Sequence, residues 1–230
     1  ELCDFVRPDW GLVTNVGESH IELLGSRENI ARAKAELYAA LPAGVGRAFL
    51  NLGSPYLGTL MEAGRLDERP VPLVGFDGRP DEAARELLER DETLCESVVW
   101  AEDVSLDAEG RARFTLRARD HADREDVSLF PVVERCLCAL SLTGAHNVDN
   151  AVAAASVGYA LGLDLETIAC ALAASVPEPG RQEVIAARGG FTIVNDAYNA
   201  SPDSMRASLS TFAATDVAGR RIAVLGDMGE

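Results

Sequence analysis

Along the first hundred residues short apolar runs alternate with stripes of helical period. Trp10 to Asn15 (WGLVTN) reads as a short buried strand closing in a polar turn, and Ser26 as the cap of a helix running to about Leu41. Apolar runs at Ala48–Asn51 and Val71–Phe76 flank a helical pattern from Pro55 to Gly64. That alternation predicts parallel strands joined by crossover helices. The pattern then changes: Arg111 to Arg119 (RARFTLRAR) sets Ala112, Phe114, Leu116 and Ala118 on one side and mostly arginine on the other. Period two with one wet face, VVWAEDV before it, DAEG as a turn and SLFPVV after it predict an antiparallel subsheet. Helices are predicted over Asn147–Leu161, after a GAH turn, and over Leu165–Ala174. VPEPG (176–180) reads as a linker. Beyond it come a strand at Phe191–Asn195, an N-cap and first helical position at Ser201 and Pro202, a buried stripe of Met205, Leu209 and Phe212, and a strand at Ile222–Leu225.

The predicted fold class is thus α/β. A mostly parallel sheet with flanking helices and an antiparallel subsheet spans 1–178, and the first βαβ unit of a second α/β domain spans 179–230. An open α/β sheet needs more than two strands, so the chain is expected to stop inside its second domain.

With 230 residues, 47% of them hydrophobic, the chain has material for one full domain and part of another. No apolar run reaches the roughly 18 residues of a membrane helix, and ELCDFVRPDW lacks the order of a signal peptide, so a soluble cytoplasmic protein without membrane insertion is expected. The net charge of −16 repels phosphate backbones and anionic lipid, which makes nucleic acid a poor partner. Five scattered cysteines suit reduced thiols. Cys136 and Cys138 stand in an apolar stretch with no second Cys/His pair nearby, which favours packing on a strand face over metal ligation. The arginine row, followed by DHADRED, reads as a solvated face rather than an anion-binding strip.

Twenty arginines accompany one lysine, Lys34. Arginine keeps its proton, whereas a lysine amine can lose it and act as a nucleophile, so chemistry at the amine is one reading. Ile30, Lys34, Leu37 and Leu41 follow the spacing of one helix face, which directs Lys34 inward. A buried ammonium must be paired, deprotonated or modified. The other reading is a snorkelling side chain. TNVGESH (14–20) is a polar turn at the carboxyl end of a predicted strand, where open α/β sheets place ligands. His20 there is either a ligand or a structural histidine, depending on what converges on it.

In order, TNVGESHIELLGSRENIARAKAEL, GAHNVDNAVAA, PGRQEV, NDAYNASPDSM and VLGDM resemble the Mur ligase family, covering its central ATPase domain and the start of its Rossmann-like C-terminal domain. The TNVG turn, the GSRE helix start and NDAYN followed by PDSM resemble the branch that adds D-alanyl-D-alanine (D-Ala-D-Ala) to UDP-N-acetylmuramoyl-tripeptide (UDP-MurNAc-tripeptide), more than siblings that add diaminopimelate, or glutamates to folate. The resemblance implies ATP and Mg2+ as cofactors, these two substrates, an acyl-phosphate intermediate and a monomer. It implies that Lys34 becomes a carbamate that ligates magnesium together with His20. It assigns adenine contacts to Asn147 and Asn150, whose spacing puts both amides on one side of a helix; by themselves the two also read as a cap and a surface residue. It gives Arg181 to ATP, Asp196 to the ribose hydroxyls, and Asn199 to polar or anionic groups near a helix N-terminus. Ser201 stands where the family often has asparagine. Asp227 and Glu230 are expected near the cleft.

The family's phosphate loop, G-x-x-G-K-[ST], is absent from the 230 residues. The resemblance places it, a metal-binding glutamate and a UDP-binding domain before residue 1. A chain with half a site, no ligase turnover and weak ATP affinity is therefore expected. The rival reading is a nucleotide-binding or regulatory module that never had those parts.

Overall fold

The computed structural model describes residues 2–19, 21–90, 94–120 and 133–228, with side chains 89 and 90 left aside. In chain order, α1 (Leu2–Val6) leads to β1 (Trp10–Val13), α2 (Ile21–Leu24) and α3 (Arg27–Ala39) to β2 (Arg47–Asn51), α4 (Leu57–Ala63) to β3 (Leu73–Asp77), and α5 (Glu82–Arg90) to β4 (Ser97–Leu106). β1 to β4 pair in parallel, as strands joined by helical crossovers do. β5 (Arg111–Asp120) and β6 (Val133–Thr143) continue the sheet antiparallel, completing the order β1-β2-β3-β4-β5-β6. The β4–β5 turn is made by Asp107, whose carboxylate accepts the amides of Glu109 and Arg111, and by Gly110 at φ +79°, where glycine meets no steric cost.

α6 (His146–Ala160) and α7 (Leu165–Ala173) cover one face of the sheet. Phe49, Val74, Phe76, Val99 and Leu116 bury against Val148, Val152 and Ile168 there. α3 and α4 cover the other face through Ile30, Ala35, Tyr38 and Leu60. Each such burial removes apolar surface from water, contributing about 1.5–3 kcal/mol for a full side chain. Tyr38 is buried because its hydroxyl is satisfied twice: it donates to the Phe49 carbonyl (2.6 Å) and accepts from the Val13 amide (3.2 Å), tying α3 to β1 and β2. Gly11 lets Leu37 lie against β1, since a Cβ there would stand 2.9 Å from its Cγ.

Two expectations change. The face of β5 opposite Phe114 is wet at Arg111 and Arg113 but closed at its other end, where Arg119 is 0% exposed. Leu88, Cys95, Val98 and Trp100 form a third cluster at that end, and Arg117 lies 5.8 Å from the Trp100 ring while pairing with Glu102 at 3.2 Å. The DHADR and SLFPV segments that framed the strand fall mainly outside the described residues. In the C-terminal part β7 (Glu183–Ala187) and β8 (Phe191–Asn195) form an antiparallel pair, followed by α8 (Pro202–Ala214). Among the described residues the predicted strand at 222–225 takes no ladder, and Val224 is 91% exposed. An extended apolar run becomes a strand only where a neighbour supplies hydrogen bonds and cover. For the same reason Met205, Leu209 and Phe212 are half-buried rather than buried.

Candidate active site

Parallel pairing in register brings the carboxyl ends of β1, β2 and β3 to one rim, the usual place for ligands in an α/β sheet. Thr14, Asn51 and Asp77 stand there. The Asn51 amide donates to the Thr14 carbonyl (2.7 Å), and its oxygen accepts the Gly53 amide (3.1 Å). Asp77 is buried against Gly53, where a Cβ would lie 3.1 Å from either carboxylate oxygen. Burial pushes its carboxyl above the usual range, opposed by the Arg79 amide that donates to it at 3.0 Å. Arg79 then grips Asp149 with both arms of its fork, at 3.0 and 2.5 Å, joining the rim to the first turn of α6. His146, in the same turn, has its pKa lowered by burial, against the pull of the Asp149 and Asp196 carboxylates.

Lys34 is not turned inward. The buried side of α3 is Ile30, Ala31, Ala35 and Tyr38, and Lys34 is exposed. Among the described residues β1 is the outermost strand of the sheet, and Leu37 packs on it at Gly11. Lys34, one turn earlier, passes the end of β1 and donates to the Asn15 carbonyl at 2.7 Å. Although the residue as a whole is exposed, its ammonium loses water against the sheet edge, and this lowers its pKa. It faces an open cleft of about 670 Å³ bounded by α1, the end of β1 and α3. His20 lies outside the described residues. Among the described residues no three His, Cys, Asp or Glu side chains converge as a metal site, Cys136 and Cys138 included.

The residues expected on the nucleotide side are brought together. Asn150 donates to the Asn147 side-chain oxygen (3.3 Å), and Asn147 to the Thr143 carbonyl (2.8 Å). The Thr143 hydroxyl donates to Gln182 (3.1 Å), whose backbone amide donates to Asp196 (3.2 Å). This chain of contacts crosses from α6 to the β7–β8 pair. Arg181 stacks on Tyr198, 4.2 Å from the ring centroid. Asn199 accepts the Ala200 amide at 2.8 Å, just before the capping box of Ser201 and Ser204 that opens α8. Asp227 is exposed, and Glu230 lies outside the described residues.

Asp77, Arg79, Asp149, Gln182 and Arg27 were missed by sequence reasoning. The signal for the first two was present: FDGR puts polar residues directly after an apolar strand, as TNVG does. Asp149 stands between the two asparagines already singled out. Arg27 and Gln182 lie inside GSRE and PGRQEV, two of the segments that carried the resemblance, but nothing in those segments singles out either side chain.

Residues 1–158 match the Mur ligase middle domain, and residues 180–230 match the Mur ligase, glutamate ligase domain. The chain is 36% identical, over its whole length and 39% of the relative's, to the UDP-N-acetylmuramoyl-tripeptide--D-alanyl-D-alanine ligase of Mycobacterium tuberculosis (strain ATCC 25618 / H37Rv). To the ligase of the same description from Bacillus subtilis (strain 168) it is 32% identical, again over its whole length and 41% of the relative's. Among solved structures, MurF from Acinetobacter baumannii aligns with 92% of this chain and 38% of its own, with a TM-score of 0.69 at 26% identity. The chain thus spans about two-fifths of the length of the curated relatives it matches.

Proposed function

The chain belongs to the Mur ligase family, and from that premise we propose that it is part of a cytoplasmic, monomeric, ATP-dependent ligase joining D-Ala-D-Ala to UDP-MurNAc-tripeptide through an acyl phosphate. Residues 1–178 belong to the central ATP-binding domain of that ligase, and 179–230 to its C-terminal domain. The observation that carries the reading is the hydrogen-bond chain Asn150–Asn147–Thr143–Gln182–Asp196, which links the rim of the sheet to the second unit. A nucleotide held there spans both units, its base against the Asn147 and Asn150 amides and its ribose against Asp196. Arg181 supplies positive charge, and Asn199 a polar contact near the start of α8.

On the other side of the rim Lys34 orients the reacting end. As an ammonium it cannot ligate a cation. Its lowered pKa raises the share of neutral amine, which can add to carbon dioxide with loss of one proton to give a carbamate anion. The carbamate and His20 are the proposed ligands of magnesium. When bound, that ion offsets the charge of the phosphates and of the carboxylate being activated. The excess of acidic groups makes such compensation necessary near an anionic substrate.

The test is made in the whole enzyme. Lys34→Arg keeps the charge but cannot carry a carbamate, and is expected to lower kcat about a hundredfold or more, in the range of a lost transition-state contact. Lys34→Ala should fall as far and recover in part when short carboxylates are added. Unchanged turnover in Lys34→Ala would remove Lys34 from the mechanism. Amide formation with diaminopimelate in place of D-Ala-D-Ala would reassign the substrate.

A further inference from the structure

Arg27, the first residue of α3, holds two carboxylates far apart in sequence. Its Nη2 donates to Glu18 at 2.6 Å and to the two oxygens of Asp203 at 3.2 and 3.1 Å. Glu18 belongs to the 14–20 turn whose Asn15 carbonyl receives Lys34. Asp203 is the second residue of α8, directly after the 196–201 loop that carries Asp196 and Asn199. The turn lies close to Asp203 at Gly17 as well, where a Cβ would stand 3.6 Å from a carboxylate oxygen, an ordinary contact distance. Further along, α8 meets the central unit at a second point, where a Cβ on Gly144 would lie 3.0 Å from the Thr211 hydroxyl. α8 is therefore held near both its ends, and the Arg27 bridge is the polar one.

We infer that Arg27 is a positioning residue for the ligase reaction: by bridging Glu18 and Asp203 it fixes the turn beside Lys34 relative to the loop of Asp196 and Asn199, and so sets the two halves of the site in register. This rests on the function proposed above. A single nitrogen, Nη2, lies between the two carboxylates, and because a guanidinium keeps its proton the bridge keeps its charge at every working pH. All three side chains keep contact with water, with relative exposures of 32%, 23% and 40%, so the bridge adds little to global stability. Its effect is geometric. Without it α8 keeps the Thr211 contact and pivots about it, and small misplacements of reacting groups cost large factors in rate.

The experiment compares the whole enzyme with Arg27→Gln, Asp203→Asn and the double variant, and adds a distance measurement that does not depend on turnover. Spin labels are attached through ketone side chains introduced at positions 32 and 210, which leaves the native cysteines alone. Arg27→Gln is expected to broaden the label-to-label distance distribution, lower kcat/KM at least tenfold and leave the melting temperature within about 2 °C, as surface pairs do. The double variant is expected to be no worse than Arg27→Gln alone, since the two act through one bridge. An unchanged distance distribution, strictly additive losses, or a kcat/KM within twofold of the parent overturns the inference. If the parent enzyme makes no amide from D-Ala-D-Ala, the substrate reading fails, while the distance measurement still decides whether Arg27 holds the units.

Discussion

His146 shows how one residue ties the site to the solution. Its charged form is disfavoured, because burial outweighs the nearby Asp149 and Asp196 carboxylates and lowers its pKa. An unfolded histidine titrates near about 6.5, so below that pH the unfolded chain binds the proton first. The stabilisation is complete above about 6.5 and is lost as pH falls through the lowered folded value. His146→Gln should flatten this acid slope in urea midpoints taken at successive pH values; a slope identical to the parent's would assign it elsewhere. Asp77, whose carboxyl is pushed up, acts with the opposite sign, its stabilisation being lost as pH rises through its raised value, so the comparison is between variant and parent. At this scale composition did much. One lysine among twenty arginines singled out Lys34 as the one side-chain amine that can give up its proton. Its direction did not follow, because periodicity gives a helix face and not what stands beneath it: the buried face of α3 is Ile30, Ala31, Ala35 and Tyr38, while Lys34 runs past the end of β1 to the Asn15 carbonyl.

Helix ends and strand faces were the most legible elements. Ser26 accepts the Asn29 amide and Ser201 the Ser204 amide, as their place before each helical pattern predicts. Gly78 has a role that only packing reveals. A Cβ on it would lie 2.5 Å from the Asp149 Cα and 2.9 Å from its amide nitrogen, backbone atoms with no freedom to swing aside. The glycine thus sets how closely the β3–α5 loop meets α6, and with that the Arg79–Asp149 fork. Gly78→Ala is expected to cost about 1–3 kcal/mol, the usual range for overpacking, and to raise KM for ATP by displacing Asn147 and Asn150. Denaturant melts and ATP titration check the two effects; parental values in both would show that α6 can retreat freely. The segment 222–225 is the converse case, apolar enough for a strand yet without a ladder partner among the described residues.

Across the whole molecule stability is concentrated in the six-stranded sheet and its two helical layers. Leu116 is fully buried in the cluster shared by β2 to β6 with α6 and α7, so Leu116→Ala should destabilise by about 2–5 kcal/mol through lost contacts and a cavity. Val224→Ala, at 91% exposure, should change stability by less than about 0.5 kcal/mol. Equal effects in chemical denaturation would mean that the apolar tail is covered in solution. The sequence by itself determined the α/β class, the antiparallel turn of the sheet and the caps at Ser26 and Ser201, because these depend on local period, turn chemistry and side-chain type. Only the tertiary structure decided that Arg119 is enclosed, that Lys34 reaches out to Asn15, and that Arg27 meets Asp203, 176 residues away. Those outcomes depend on which surfaces face each other, and no local pattern along a chain encodes the neighbour that arrives from its far end.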